Sequence, residues 1–483
     1  MPHQHQVHTA VSAPGKVLLT GGYLVLDRAY TGTVLALDAR IHVIVQQLSR
    51  SNSPTGGKPD AETGTAEGDQ AEQKEGEADE DCRIVVRSPQ FIDAVWEYGI
   101  ERVDQGGGVK VAQIGDTPRN PFVETALNYS LTYINYVAAS KHFGSLSITI
   151  LADNDYYSET ETSKGPAAAS RGHFASFGVT LRDAHKTGLG SSAALVTALV
   201  SAVVIHRTMH ADDLDVARAK LHNLAQAAHC AAQGKVGSGF DVAAAVYGTC
   251  LYRRFSPSVL SKLGDVGSPQ FEERLFTTVE DLDPEHPWDA QSIDFGTRLP
   301  RGMQMVLCDV DCGSQTPSMV KKVLAWREDN REEADSLWSE LQCNNEKLRQ
   351  ELKRLAQPPV AEQDYSQVRE IISTSRGYIR SMTEKSGVPI EPIVQKELLD
   401  ALLEVDGVVG GLVPGAGGYD AIAVLIRDDL ETVETLRKFL EGWKSTKEDD
   451  FGGKIERVRL LGVRHGSEGV RNENPRQYAG WVQ

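Results

Sequence analysis

The stretch "KTGLGSSAALVTALVSAVVIH", Lys186 to His206, sets a flexible Gly-Ser turn directly in front of a run with almost no polar side chain. A phosphate needs several N–H donors converging on it. Helix N-termini supply them, and glycine lets the backbone come close with no Cβ in the way. Gly188, Leu189, Gly190, Ser191 and Ser192 precede Ala193–Ile205, so the loop would stand on the positive end of that helix dipole. So apolar a helix must be buried on all sides, which would hold an anion cradle still at its first turn. The plain alternative is a Gly-Ser linker capping a core helix. No G-x-x-x-x-G-K-[ST] occurs, which excludes a P-loop. The glycine spacing also fails the G-x-G-x-x-G dinucleotide pattern with its acidic partner.

Working outward, 483 residues are too many for one ordinary core and suggest two or three domains. The formal charge of −17 argues against nucleic-acid binding, so any anionic substrate must be met by a local cluster of cations and N–H groups. Ten Asp/Glu against two Lys fall between Ser51 and Asp81, which reads as an acidic, disordered insertion; a docking tract is the other reading of it. The six cysteines (Cys82, Cys230, Cys250, Cys308, Cys312, Cys343) form no C-x-x-C pair and read as reduced thiols of a cytoplasmic protein. No secretory signal is read in "MPHQHQVHTAVSAPGKVLLTGG", and no membrane span is expected, because the long apolar runs carry polar interruptions.

"KVLLT" (Lys16–Thr20) and "RIHVIVQQL" (Arg40–Leu48) have strand composition, and "SLSITILA" (Ser145–Ala152), which alternates Leu146, Ile148 and Ile150 against Ser and Thr, reads as a half-buried strand. A helix is expected from Pro121, with Phe122, Ala126, Tyr129, Tyr133 and Tyr136 on one side, and an amphipathic helix over Leu214–Ala231. Ser256–Pro300 is turn-rich and suggests a domain boundary near Ser256. After it come a strand "MQMVLCDV", two long helical patterns (roughly Ser318–Leu355 and Tyr365–Lys385), a shorter one at Val394–Val405, and a strand "DAIAVLI" (Asp420–Ile426). Strands and helices mixed in both halves give an α+β fold of two domains, 1–255 and 256–483.

Two further glycine-rich stretches flank the first: "SAPGKVLLTGGYLVLD" (Ser12–Asp27) and "GLVPGAGGYDAIAVLI" (Gly411–Ile426). In this order "APGK", "GLGSSAA" and "GAGGYDAIAV" resemble the three signature motifs of the GHMP kinases. "GKVGSGFDVAAAVYG" (Gly234–Gly248) resembles the segment carrying that family's catalytic aspartate. The resemblance implies an N-terminal S5-like α/β domain, a C-terminal ferredoxin-like domain, and an active site in the cleft between them. Within the superfamily, "AHCAAQGKVGSGFDVAAAVYG", "YRRF" and "SGVPIEP" resemble the fungal branch that phosphorylates phosphomevalonate. The galactokinase G-E-H-T-D signature is absent, and mevalonate kinases normally carry a glutamate where Gly22 stands.

The resemblance implies ATP and Mg²⁺, with Lys16 and Asp241 as catalytic residues and Lys186 with Gly188–Ala193 around the nucleotide phosphates. Ser192 matches the family's Mg²⁺ ligand. For the acceptor, phosphomevalonate, the candidates are Tyr23, Lys186, Ser238, Arg376, Arg380 and the wall Gly415, Ala416, Gly417, Gly418, with Lys235 and Arg182 next. Each cation has a plain reading as a solvated surface charge, and Asp241 one as a helix N-cap. The family glutamate that helps hold Mg²⁺, about eleven residues before the aspartate, is missing, since no carboxylate lies between Asp215 and Asp241. His229 and Cys230 would be poor substitutes for it. No nucleic acid, no membrane, and a monomer or weak homodimer are expected. A kinase of an alcohol such as mevalonate, or a non-catalytic metabolite sensor, stays open at this point.

Overall fold

The computed structural model describes residues 8–48, 82–138, 143–157, 173–210, 213–293, 299–312, 318–357, 364–448 and 453–482. The acidic tract 51–81 lies outside them.

β1 (His8–Thr20) and β2 (Gly32–Gln47) make a long antiparallel ribbon, with Val11 opposite Val43 and Val17 opposite Leu35. Both strands are covered on both faces, which is why they read as near-continuous apolar runs rather than as an alternation. A meander of β3 (Arg83–Arg87), β4 (Val95–Val103) and β5 (Gly108–Ile114) continues the sheet. α1 (Pro121–Val137) begins at Asn120, whose side chain accepts from the Val123 N–H, with Pro121 where no N–H is needed. β6 (Leu146–Ala152) joins β2 to β3.

α2 (Ser191–Thr208), α3 (Leu214–Gln233) and α4 (Phe240–Tyr247) pack with α1 on this sheet. By length and composition α2 could cross a membrane, yet from Ala193 to Ile205 all but Leu195 is buried inside the fold. β7 (Cys250–Arg253), α5 (Phe271–Val279) and β8 (Gln291–Ile293) follow.

In the second half come β9 (Met303–Asp311), α6 (Met319–Asp329), α7 (Arg331–Leu355), α8 (Ser366–Ser386), α9 (Ile393–Leu402), β10 (Val408–Leu412), β11 (Ala421–Arg427), α10 (Leu430–Gly442) and β12 (Arg457–Gly466). The antiparallel order β10-β11-β9-β12 is a ferredoxin-like arrangement with extra helices in its first crossover. Its two faces are sorted by strand period. Met303, Met305 and Leu307 join the core shared with the first half, while Val306, Cys308 and Val310 join a second core with α9 and α10.

The expected single helix over Ser318–Leu355 is two, because Asn330 leaves helical backbone and turns α7 against α6. The tyrosine side of α1 is also only partly inward, since Tyr136 is exposed.

β12 pairs with β9 at one end and with β2 at the other, so one sheet runs through both halves. β13 (Arg471–Asn472) returns to β1. The turn-rich segment after Ser256 stays with the first half. Phe271, Leu275 and Val279, four apart on one face of α5, enter the core of α1 and α3, and β8 pairs with β7. The chain as far as β8 therefore packs with the first half, and we propose that the domain division falls after Ile293 and not at Ser256.

Candidate active site

Three glycine-rich segments meet here, and each glycine answers to a named neighbour. In β1 the register slips between Pro14 and Lys16, a bulge where the missing proline N–H costs no ladder bond. A bulge re-aims the side chain that follows it, here Lys16. A Cβ on Gly15 would lie 2.9 Å from both the Leu189 carbonyl oxygen and the Tyr156 hydroxyl. The Lys16 N–H donates to that same Leu189 oxygen at 3.0 Å. "APGK" is thus the surface on which the second motif is seated.

Gly190 is the N-cap of α2 at φ +83°, and a Cβ there would lie 2.8 Å from Lys16 Cε. No side chain caps this helix, so its first amides are left for a ligand, as an anion cradle requires. Leu189 is buried and pins the loop, Ala193 is buried beneath it, and Ser191 and Ser192 are half-buried. Lys16 Nζ lies 5.7 Å from the centre of the Phe240 ring. Burial pulls the Lys16 pKa below its ordinary value, and the charge of Asp241 offsets part of that.

Asp241 stands in the first turn of α4, where Gly239 at φ +84° is the N-cap, so the aspartate's plain reading as N-cap does not hold. Its Oδ1 accepts from the Val242 N–H at 3.0 Å. On its other side is His229 of α3, with Nδ1 3.9 Å from Asp241 Oδ2 and Nε2 3.1 Å from Ser192 Oγ. Gln233 Nε2 lies 3.2 Å from the same Nε2.

The third motif closes on the first. The Gly415 N–H donates to Leu18 O at 3.2 Å, and the Tyr23 hydroxyl donates to Ala416 O at 2.7 Å. Gly22 and Gly415 touch through backbone, for a Cβ on Gly22 would lie 2.7 Å from Gly415 O. The Gly418 N–H donates to Ile390 O at 2.9 Å, and a Cβ on Gly417 would fall 2.2 Å from that oxygen.

Between these segments and β9 and β12 opens a cavity of about 940 Å³, walled by Lys16, Lys186, Gly188, Leu189, Phe240 and Gly415–Gly417. His185, Asp309, Arg457 and Arg459 also face it, and the sequence reading had none of them. Asp309 is half-buried, which raises its pKa, while His185 and Arg459 counter that rise.

Arg376 and Arg380 are not brought to this cavity. Arg376 Nη2 is 2.8 Å from Glu391 Oε1 and 2.8 Å from Asp400 Oδ1, and Arg380 Nη1 is 3.1 Å from Glu391 Oε1. The Glu391 side chain is fully enclosed, so both guanidiniums are committed to neutralising it. Lys235 and Arg182 are exposed and away from the walls, and Ser238 is engaged through its carbonyl by the Tyr252 hydroxyl at 2.7 Å. His229 did have a sequence signal: His222, Gln226, His229 and Gln233 recur at steps of four, three and four. That makes a polar stripe on α3, and its first three members are buried.

A glycine cradle at a buried helix, a lysine re-aimed by a bulge, and an aspartate beside them on this fold define a GHMP-type small-molecule kinase. The family model "GHMP kinases N terminal domain" matches residues 176–249. Phosphomevalonate kinase of Aspergillus fumigatus is 68% identical over 98% of this chain and 98% of its own length. That of Gibberella zeae is 48% identical over 98% of each. The chain belongs to the phosphomevalonate kinase family. Among solved structures, Streptococcus pneumoniae phosphomevalonate kinase in complex with phosphomevalonate and AMPPNP has the same fold, at a TM-score of 0.55 and 14% identity over 94% of this chain and 99% of that one.

Proposed function

We propose that the chain transfers the γ-phosphoryl group of ATP to the phosphate of (R)-5-phosphomevalonate, giving 5-diphosphomevalonate on the mevalonate route to isoprenoids and sterols. The observation that carries this reading is the seating of Lys16 against the loop Gly188–Ala193, with Asp241 close enough to act on its charge. The kinship with phosphomevalonate kinases supports the choice of acceptor.

The physical task is to bring two anions together and to stabilise charge on the group in flight. The loop amides of Gly188 to Ala193 hold the ATP phosphates, and Lys16 neutralises charge between donor and acceptor. The acceptor is a phosphate monoester with a second pKa of about 6, so it is mostly dianionic near pH 7 and no hydroxyl proton must be removed before attack. Asp241 accordingly orients Lys16 and the acceptor, with base catalysis secondary. Lys186, Arg457 and Arg459 replace Arg376 and Arg380 as the cations for the acceptor phosphate. Tyr23 holds the wall Gly415–Gly418 against the first motif.

The donor set fits a magnesium ion carried mainly by the nucleotide. Ser192 offers a hard hydroxyl oxygen at the loop, Asp241 is the carboxylate of this cluster, and α3 adds an imidazole in place of a carboxylate. Bound there with ATP, the ion would neutralise charge on the phosphates. Six cysteines, five of them buried and none in a disulfide among the described residues, support a reducing compartment, and we place the enzyme in the cytoplasm as a monomer or weak homodimer.

The test is a coupled assay of ADP release with phosphomevalonate and mevalonate side by side. Turnover of phosphomevalonate with formation of the diphosphate is expected. Turnover of mevalonate alone, or binding of phosphomevalonate and ATP with no turnover, overturns the reading.

A further inference from the structure

We propose that His229 is a positioning residue, tying the hydroxyl of Ser192 to the carboxylate of Asp241 so that Ser192 turns its lone pairs toward the nucleotide and its metal. The proposal rests on the reading of Ser192 as a ligand of that metal.

Three distances set the geometry. Nε2 of His229 meets Ser192 Oγ at 3.1 Å and Gln233 Nε2 at 3.2 Å, while Nδ1 faces Asp241 Oδ2 at 3.9 Å. The Gln233 amide, as placed, is a donor, and a serine hydroxyl always has one hydrogen to give. Two donors converging on Nε2 make it the unprotonated ring nitrogen. The single ring hydrogen is then on Nδ1, on the side of the carboxylate. That tautomer is the one Asp241 favours.

The consequence for Ser192 is directional. A hydroxyl that ligates a cation must point its hydrogen elsewhere, and in this half-buried position that hydrogen needs an acceptor. Nε2 is that acceptor, and it lies on the α3 side of the loop. A carboxylate there would ligate the cation itself. An imidazole with its lone pair turned to serine instead acts one step removed, through the orientation of the hydroxyl. The ring is held for this task. Its residue is 2% exposed, the Phe122 ring packs at 5.9 Å, and Gln233 braces it one helical turn on.

The experiment measures binding of AMPPNP to the full chain by calorimetry, with Mg²⁺ and with chelator, alongside kcat and both KM values. His229→Leu should cut the Mg²⁺-dependent gain in AMPPNP affinity about tenfold or more, as loss of an outer partner of a metal ligand does. Metal-free affinity and the KM for phosphomevalonate should stay within about twofold of wild type. His229→Gln keeps an acceptor and a donor on a side chain of similar reach and should recover most of the gain; His229→Asn, too short, should not. In a Ser192→Ala background, His229→Leu should add little, because the two residues act as one unit. An undiminished Mg²⁺ gain in His229→Leu overturns the proposal. So does an equal loss with and without metal, or additivity with Ser192→Ala. If the leucine variant does not fold, the glutamine and asparagine variants decide: equal Mg²⁺ gains in the two overturn it. Failure of the wild type to turn over phosphomevalonate would sink the proposed function but leave these binding measurements readable.

Discussion

Gly190→Ala separates two demands that the structure places on one atom. The residue caps α2 at φ +83°, a conformation that costs an alanine about 1–2 kcal/mol. The added Cβ would also lie 2.8 Å from Cε and 3.2 Å from Cγ of Lys16, where carbon atoms normally sit about 3.5–4.0 Å apart. Lys16 cannot yield toward the loop, because its N–H is fixed to Leu189 O, so its ammonium end must move by roughly the overlap, a little under 1 Å. Misplacement of that order costs catalysis about a hundredfold. Gly387, the C-cap of α8 at φ +64°, is the control, since a Cβ there meets nothing within 4 Å. Both variants should lose about 1–2 kcal/mol in urea unfolding, but only Gly190→Ala should lose about a hundredfold in kcat with phosphomevalonate. If the kcat of Gly190→Ala stays within about threefold of Gly387→Ala, the glycine does not make room for Lys16 and the reasoning fails.

Lys16→Met should lower kcat by about 10²–10³ and raise the unfolding midpoint, since a buried ammonium disfavours the folded state. The folded pKa of Lys16 lies below the unfolded one, so the handicap is complete below the folded pKa and fades as pH rises from there toward 10.5. The stability advantage of the methionine variant should therefore shrink in melts at alkaline pH, and a constant advantage would contradict this account. Arg376→Met leaves the enclosed Glu391 with Arg380 alone and should cost about 3–5 kcal/mol in urea titration, with the KM for phosphomevalonate unchanged. A raised KM with little loss of stability would return Arg376 to the substrate site. Tyr23→Phe removes the bond to Ala416 O and should cost about 0.5–1.5 kcal/mol of local stability, read as faster amide exchange at Gly415–Gly418 with a several-fold higher KM for the acceptor.

The glycine motifs were legible because a glycine that must be glycine reports a contact of backbone with something else. Gly15 reports Leu189, Gly22 reports Gly415, and Gly190 reports Lys16, each from a distant part of the chain. "SLSITILA" was legible as a strand from the alternation of Leu146, Ile148 and Ile150 with Ser and Thr, but not as half-buried, because both of its faces are covered. β12 was not, because its burial alternates poorly and its register slips between Leu460 and Arg464 as it passes from one half to the other. α5 hid in a turn-rich segment, where only three apolar residues mark the face it buries. Cations were the least legible. Arg376 and Arg380 share one helical face whether they meet a phosphate or a glutamate, and nothing local in the sequence says which. The partner, Glu391, lies in "SGVPIEP", a stretch that served in the sequence only to mark the branch of the family.

The missing metal-binding glutamate and the burial of Lys16 belong to one electrostatic problem. A second carboxylate beside Asp241 would raise the negative charge around a lysine whose own charge is already disfavoured by burial, and would compete with the phosphates for it. An imidazole brings no negative charge to that competition, and it stands between Ser192 Oγ at 3.1 Å and Asp241 Oδ2 at 3.9 Å. With no carboxylate on α3 beyond Asp215 in its first turn, the charge of Asp241 is left to act on Lys16, which suits the proposed acceptor, one that arrives already ionised. An alcohol acceptor places the opposite demand on the same aspartate, which must then take a proton. His229→Glu tests this trade directly. It should tighten Mg²⁺-dependent AMPPNP binding while lowering kcat for phosphomevalonate by about tenfold or more, because Lys16 would be drawn toward the new charge. Tighter metal binding with an undiminished kcat would mean that the neutrality of this position is incidental.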